Sequence, residues 1–72
     1  MMEYQSVTSS NVAAVAYDDA TSILGVRFLN GTEYHYNGVP RDVFEGLLKA
    51  SSVGTYLNQQ IKKSGYSYSR VG

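Results

Sequence analysis

Seventy-two residues, seven tyrosines, no cysteine and a net charge of zero set narrow bounds on this chain. A chain of this size builds one core, buries only about 60% of the surface its unfolded form exposes, and without cysteine has neither disulfide staples nor thiolate metal ligands, so oligomerisation is the expected extra support. Zero net charge argues against a life spent on sequence-independent contacts with a nucleic-acid polymer. No apolar run reaches the roughly 18 residues of a membrane span. The start, Met1-Met2-Glu3-Tyr4-Gln5-Ser6, lacks a basic region followed by an apolar one, so the expectation is a cytoplasmic, unprocessed protein.

The zero is a cancellation. Met1 to Glu45 carries six acids against Arg27 and Arg41, whereas Gly46 to Gly72 carries no acid and the four bases Lys49, Lys62, Lys63 and Arg70, which sets the two parts at −4 and +4.

Residues 12 to 37 predict a three-stranded antiparallel meander. Leu24, Val26 and Phe28 mark the buried face of its middle strand, and Tyr34 and Tyr36 share one face of the third. A two-residue loop at Asn30-Gly31 would join the apolar face of one strand to the polar face of the next. A three-residue loop, Leu29-Asn30-Gly31 with Gly31 left-handed, instead pairs Val26 with Tyr34, Leu24 with Tyr36, and Arg27 with Glu33 on the outer face. By the same logic a four-residue loop over Asp18-Asp19-Ala20-Thr21 sets Val15 opposite Leu24 and Ala13 opposite Val26, with Ala13, Val15 and Tyr17 on the buried face.

The period then changes from 2 to about 3.6. Pro40 suits a first helical position, Asp42 and Glu45 suit the positive helix end, and Val43, Phe44, Leu47 and Leu48 form one stripe of a short helix that stops near Ala50. Ser51 or Ser52 caps a second helix that buries Val53, Leu57 and Ile61, carries Lys62 and Lys63 near its negative end and stops at Gly65. The tail Tyr66-Ser67-Tyr68-Ser69-Arg70-Val71 alternates and reads as a final strand or an ordered extended tail. The expected fold is therefore α+β, a three-stranded meander followed by two short helices. Its buried set comprises Leu24, Val26, Phe28, Val43, Leu47, Leu57 and Ile61.

These residues resemble the KTSC domain, a short bacterial and phage module named for its occurrence at the C-terminus of some lysyl-tRNA synthetases. The resemblance runs through Ser9-Ser10-Asn11, Tyr17-Asp18, Leu24-x-Val26-x-Phe28, Asn30-Gly31, Tyr34-His35-Tyr36, Val39-Pro40, Ser51-Ser52-x-Gly54-x-Tyr56-x-Asn58, Ile61 and Tyr66-x-Tyr68-x-Arg70-Val71. It implies a role in RNA binding. It also singles out Ser9, Asn11 and Asn58 as further candidate ligand contacts.

Several motifs have plain structural readings. Asp18 and Asp19 read as turn residues, and the lone His35 is a poor metal site, since such sites take three or four protein ligands. Tyr34-His35-Tyr36 has the composition of an RNA-stacking platform. The register nevertheless sets Tyr34 and Tyr36 on the face of Leu24 and Val26, as core tyrosines whose hydroxyls reach the core edge. Lys62 and Lys63 read as a solvated helix end. No serine has a base and oxyanion hole to serve it, so no catalytic residue is expected.

The best binding candidate is Ser51-Ser52-Val53-Gly54, with two readings: a cradle for a phosphate oxygen, or a serine cap beside a glycine that allows close packing. Tyr56, Tyr66 and Tyr68 offer rings, and Arg70 offers a guanidinium that holds phosphate or stacks on a base. The expected function is a non-catalytic binding protein for a small phosphorylated nucleotide, without metal or cofactor, with its pocket at a homo-oligomer interface. Such a protein, if phage-encoded, acts by sequestering a nucleotide signal of a host defence system. The alternatives are an RNA-binding accessory module and a protein–protein adaptor.

Overall fold

The computed structural model describes residues 3–72; the reading of Met1 and Met2 as part of a leaderless start lies outside them. The fold is α+β. A five-stranded antiparallel sheet has the strand order β1-β2-β3-β4-β5, built from β1 (Gln5–Ser6), β2 (Val12–Asp18), β3 (Ile23–Phe28), β4 (Glu33–Tyr36) and β5 (Tyr68–Arg70). Helix α1 (Arg41–Lys49) and helix α2 (Val53–Tyr56), which continues as a π-helical turn over Leu57–Lys62, lie between β4 and β5 in the chain.

A three-stranded meander and a tail either strand or extended were expected; among the described residues there are five strands, the tail being one of them. The β5 tail forms a strand because Tyr36 pairs with Tyr68 and Tyr34 with Arg70, while Asn37 N–H donates to the Ser67 carbonyl. β1 escapes a sequence reading because two exposed polar residues have no alternation to detect.

The β3–β4 hairpin has the expected register, with Leu24 opposite Tyr36, Val26 opposite Tyr34 and Arg27 opposite Glu33. Gly31 is left-handed at φ +93°, and Phe28 N–H closes the loop onto the Thr32 carbonyl at 2.8 Å. The β2–β3 register differs from expectation by two residues: Val15 faces Val26 and Tyr17 faces Leu24. A two-residue slip keeps every side chain on its own face, so burial cannot distinguish the two registers. What selects this one is Tyr17, whose ring stacks on Phe44 at 5.2 Å and whose hydroxyl donates to the Val39 carbonyl. The turn moves one residue along, with Asp18 accepting from Ala20 N–H and Ser22 left-handed at φ 57°. Ala13 falls at a bulge and is half-buried, and the bulge swings Val12 into the core in its place.

The core lies between the helices and one sheet face: Val12, Val15, Leu24, Val26, Tyr36, Val39, Phe44, Leu47, Val53, Leu57 and Ile61. Phe28 and Val43, expected inside, are half-buried and pack against its rim, and Leu48 turns out to solvent at 38% exposure. The Pro40 carbonyl accepts from Val43 and Phe44 N–H, which makes Pro40 the residue flanking α1 rather than its first turn. Ser52 caps α2, its hydroxyl accepting from Thr55 N–H at 3.3 Å. The chain leaves the π-helical turn through left-handed Gly65.

Candidate functional site

Strand alternation divides β4 between two chemistries. Glu33 and His35 point away from the helices; Tyr34 and Tyr36 point toward them.

On the outer face the polar groups satisfy one another. The Tyr4 hydroxyl donates to Glu33 Oε2 at 2.6 Å and lies 3.4 Å from His35 Nε2. Arg27 Nε donates to Glu33 Oε1 at 3.2 Å, and its guanidinium sits 4.3 Å from the centre of the Tyr4 ring. Burial, then the bond to Glu33, pushes the Tyr4 hydroxyl well above its ordinary pKa; the bonds from Tyr4 and Arg27 hold the Glu33 carboxyl below its own. This cluster ties the segment before β1 to β3 and β4. Among the described residues no group of three His, Asp or Glu side chains is arranged to hold a metal.

The helix-side face differs. Past the last turn of the helices, Tyr34, Tyr36, Tyr66, Tyr68 and Lys62 line a cavity of about 290 Å³. Pairing of β4 with β5 sets Tyr68 5.6 Å from Tyr36 and 5.8 Å from Tyr34, ring centre to ring centre, and Tyr34 meets Phe28 edge-on at 5.9 Å. Tyr36 is the floor, 4% exposed, and Tyr68 the open wall, 62% exposed. Burial keeps the Tyr36 hydroxyl protonated beyond the ordinary tyrosine range, reinforced by Tyr34 and Tyr68. A second depression adjoins the first, lined by Phe28, Asn30, Thr32, Tyr34, Asn11 and Lys62. A third follows, lined by Ser10, Asn11, Ser52, Thr55, Asn58 and Lys62. Shared walls make these one groove with Lys62 common to all three parts. Lys62 Nζ stands 5.4 Å from the Phe28 ring, and among the described residues it pairs with no carboxylate.

The residues singled out from the sequence divide accordingly. Tyr66 and Tyr68 lie at the aromatic end, and Ser52, Gly54, Asn58 and Asn11 at the polar end. Gly54 is a close-packing position: a Cβ there would stand 2.6 Å from Asn11 Oδ1. Ser9 shapes the turn before β2, its hydroxyl accepting from Asn11 and Val12 N–H and donating to Asn11 Oδ1. Three candidates lie elsewhere. Ser51 lines depressions on the far side of the α1–α2 turn. Tyr56 packs its hydroxyl against Gly46 of α1, where a Cβ would also stand 2.9 Å from its Cζ. Arg70, opposite Tyr34 in the ladder, turns its Nε to the Gly72 carbonyl at 3.1 Å and is not among the residues lining the cavity.

Lys62, read from the sequence as a solvated helix end, is exposed and also borders all three parts of the groove. With α-helical rotation it lies half a turn from Val53, on the solvent side. The wider π-helical turn, closed by Lys63 N–H on the Asn58 carbonyl at 3.3 Å, rotates less per residue and returns Lys62 toward the sheet. Tyr34 and Tyr36 serve the core as expected and also line the groove.

Comparison with known proteins gives a consistent picture. The KTSC domain family profile matches residues 8–71. An uncharacterised protein of Stutzerimonas stutzeri is 37% identical over 70 residues, covering 97% of this chain and 99% of the relative. A protein of Tsukamurella paurometabola is 45% identical over 58 residues, covering 81% of this chain and 87% of its own. The crystal structure of a KTSC domain protein from Yersinia pestis superimposes with a TM-score of 0.91 at 29% identity, over the whole of both chains.

Proposed function

The chain belongs to the KTSC domain family, and for this member we propose a non-catalytic binding protein for a small phosphorylated nucleotide, its base among Tyr34, Tyr36, Tyr66 and Tyr68 and its phosphate at Lys62. The observation that carries the reading is the junction of an aromatic cavity with a lysine that pairs with no carboxylate among the described residues. Tyrosine rings supply flat apolar surface for a base, and an ammonium with no competing carboxylate is available to an anion. The cavity, about 290 Å³, stands at the small end of ligand sites, which run from about 300 to 1,000 Å³. It suits one base and leaves one side open, and in this proposal a second copy of the chain covers the exposed Tyr68 wall. Binding without chemistry gives such a protein one mode of action, which is to hold its ligand stoichiometrically.

Calorimetric titration with the four common nucleoside monophosphates tests this. Lys62→Ala is expected to weaken binding at least tenfold, since a hydrogen bond to a charged group contributes about 1.5 kcal/mol or more, with an unchanged melting temperature. Tyr68→Ala is expected to weaken it through lost stacking. Unaltered affinity in both folded variants overturns the reading. Strong binding of short RNA that falls steeply with salt, with no mononucleotide binding, replaces it by the RNA-binding alternative.

A further inference from the structure

The aromatic cavity is one of three parts of a longer groove. Its middle part, about 470 Å³, and its polar end, about 390 Å³, each exceed the cavity itself, so a mononucleotide seated among the tyrosines leaves most of the groove unfilled. Lys62 stands where the three parts meet. The far end, Ser10, Asn11, Ser52, Thr55 and Asn58, contains hydroxyls and amides and no charge other than that same lysine. Of its two amides, Asn11 has Oδ1 engaged by Ser9, whereas the Asn58 side chain makes no hydrogen bond among the described residues.

Resting on the nucleotide reading above, we propose that the groove takes a dinucleotide whose single bridging phosphodiester sits at Lys62. One base lies among Tyr34, Tyr36, Tyr66 and Tyr68, and the second nucleoside extends past Phe28 to the Asn11 and Asn58 amides. Charge matching favours this class. A phosphodiester carries one negative charge, and the groove supplies one cation; a terminal monophosphate carries up to about two. The shape agrees, since an amide offers both a donor and an acceptor to a base edge, whereas the tyrosine end offers faces. A longer strand would demand further cations along its path, and the three parts share only Lys62.

The experiment is calorimetry on the full chain with each nucleoside monophosphate, the corresponding 3′→5′ homodinucleoside monophosphate and the homotetramer, repeated with Asn58→Ala. The dinucleotide is expected to bind at least tenfold more tightly than the mononucleotide of the same base, with no further gain for the tetramer. Asn58→Ala, an exposed substitution, is expected to remove most of that excess and leave mononucleotide affinity unchanged. Equal mono- and dinucleotide affinity overturns this proposal and leaves the nucleotide reading standing. A tetramer another tenfold tighter also overturns it, in favour of a polymer ligand. Binding of neither mono- nor dinucleotide overturns both.

Discussion

The two faces of β4 use adjacent residues to opposite ends. Glu33 and His35 join Tyr4 and Arg27 in a cluster whose donors and acceptors meet one another, and its product is attachment of the N-terminal segment. Tyr34 and Tyr36, one residue out of step, form with Tyr66, Tyr68 and Lys62 a surface with rings in contact and an ammonium that meets no carboxylate among the described residues. Polar groups that satisfy each other stabilise; polar groups held in place without partners are available to a ligand. The outer cluster carries more charge, yet it is the helix-side face that holds a cavity and a lysine without a carboxylate partner among the described residues.

Mutations that remove the shared support break the comparison most severely. Tyr36→Ala, at the cavity floor and 4% exposed, is expected to cost about 3 to 5 kcal/mol, as for other large aromatic truncations in cores. Denaturant unfolding would register it, and both faces would fail together. Gly54→Ala should cost much less, within about 1 kcal/mol, because the methyl displaces the exposed end of the Asn11 side chain and a helical alanine offsets part of the cost. Its distinguishing sign is a loss at the polar end of the groove while the tyrosine cavity persists, readable as chemical-shift changes confined to Asn11, Asn58 and their neighbours.

Glu33→Gln separates the faces. It weakens the bonds from Tyr4 and Arg27 and should lower stability by about 1 kcal/mol without altering ligand affinity. The pH dependence carries the same signature. Because Glu33 is held below its ordinary pKa of 4.5, its contribution is present at neutral pH and is lost as pH falls through the folded value. Because the Tyr4 hydroxyl is raised above 10.0, its contribution is present below that value and is lost as pH climbs through the folded one. Melting temperature against pH should therefore fall at both ends in the native protein. The acid limb should flatten in Glu33→Gln, and the alkaline limb should become shallower in Tyr4→Phe, keeping the share contributed by the raised Tyr36 hydroxyl; an alkaline limb identical in the native protein and Tyr4→Phe would show that Tyr4 is not held in this cluster. Lys62→Ala should have the smallest effect on stability, within about 0.5 kcal/mol as for most surface changes, and among the largest on binding.

How much of this was legible depends on which physical quantity a pattern reports. Alternation reports faces, so the β3–β4 register followed once Gly31 was assigned a left-handed turn. It does not distinguish registers two residues apart, so β2 against β3 needed the Tyr17 contacts with Phe44 and Val39, which join distant parts of the chain. Tyr66 and Tyr68 were found as candidates because they are rings in the acid-free half and match the resemblance, and Asn11 and Asn58 through resemblance alone. The placement of Arg70 and Lys62 was not legible because sequence gives the charge of a residue but not its azimuth: Arg70 turns its Nε to the Gly72 carbonyl, and Lys62 reaches the groove through a turn wider than the α-helical period assumed for it. The cap at Ser52 was legible because its chemistry is local.

The π-helical turn makes the address of that lysine a matter of chain length. A segment that closes its bonds five residues apart holds one residue more per turn than the α-helix of the same span. Letting that turn tighten to α-helical bonding with every residue kept would turn everything downstream by about 100°, and the lysine would leave the groove while the Tyr66-Ser67-Tyr68 run would approach β4 out of phase. Removing one residue between Leu57 and Lys62 at the same time would absorb the surplus and restore the downstream phase. Here the count of residues and the pitch of the turn compensate each other, and the lysine keeps its place only while the two agree.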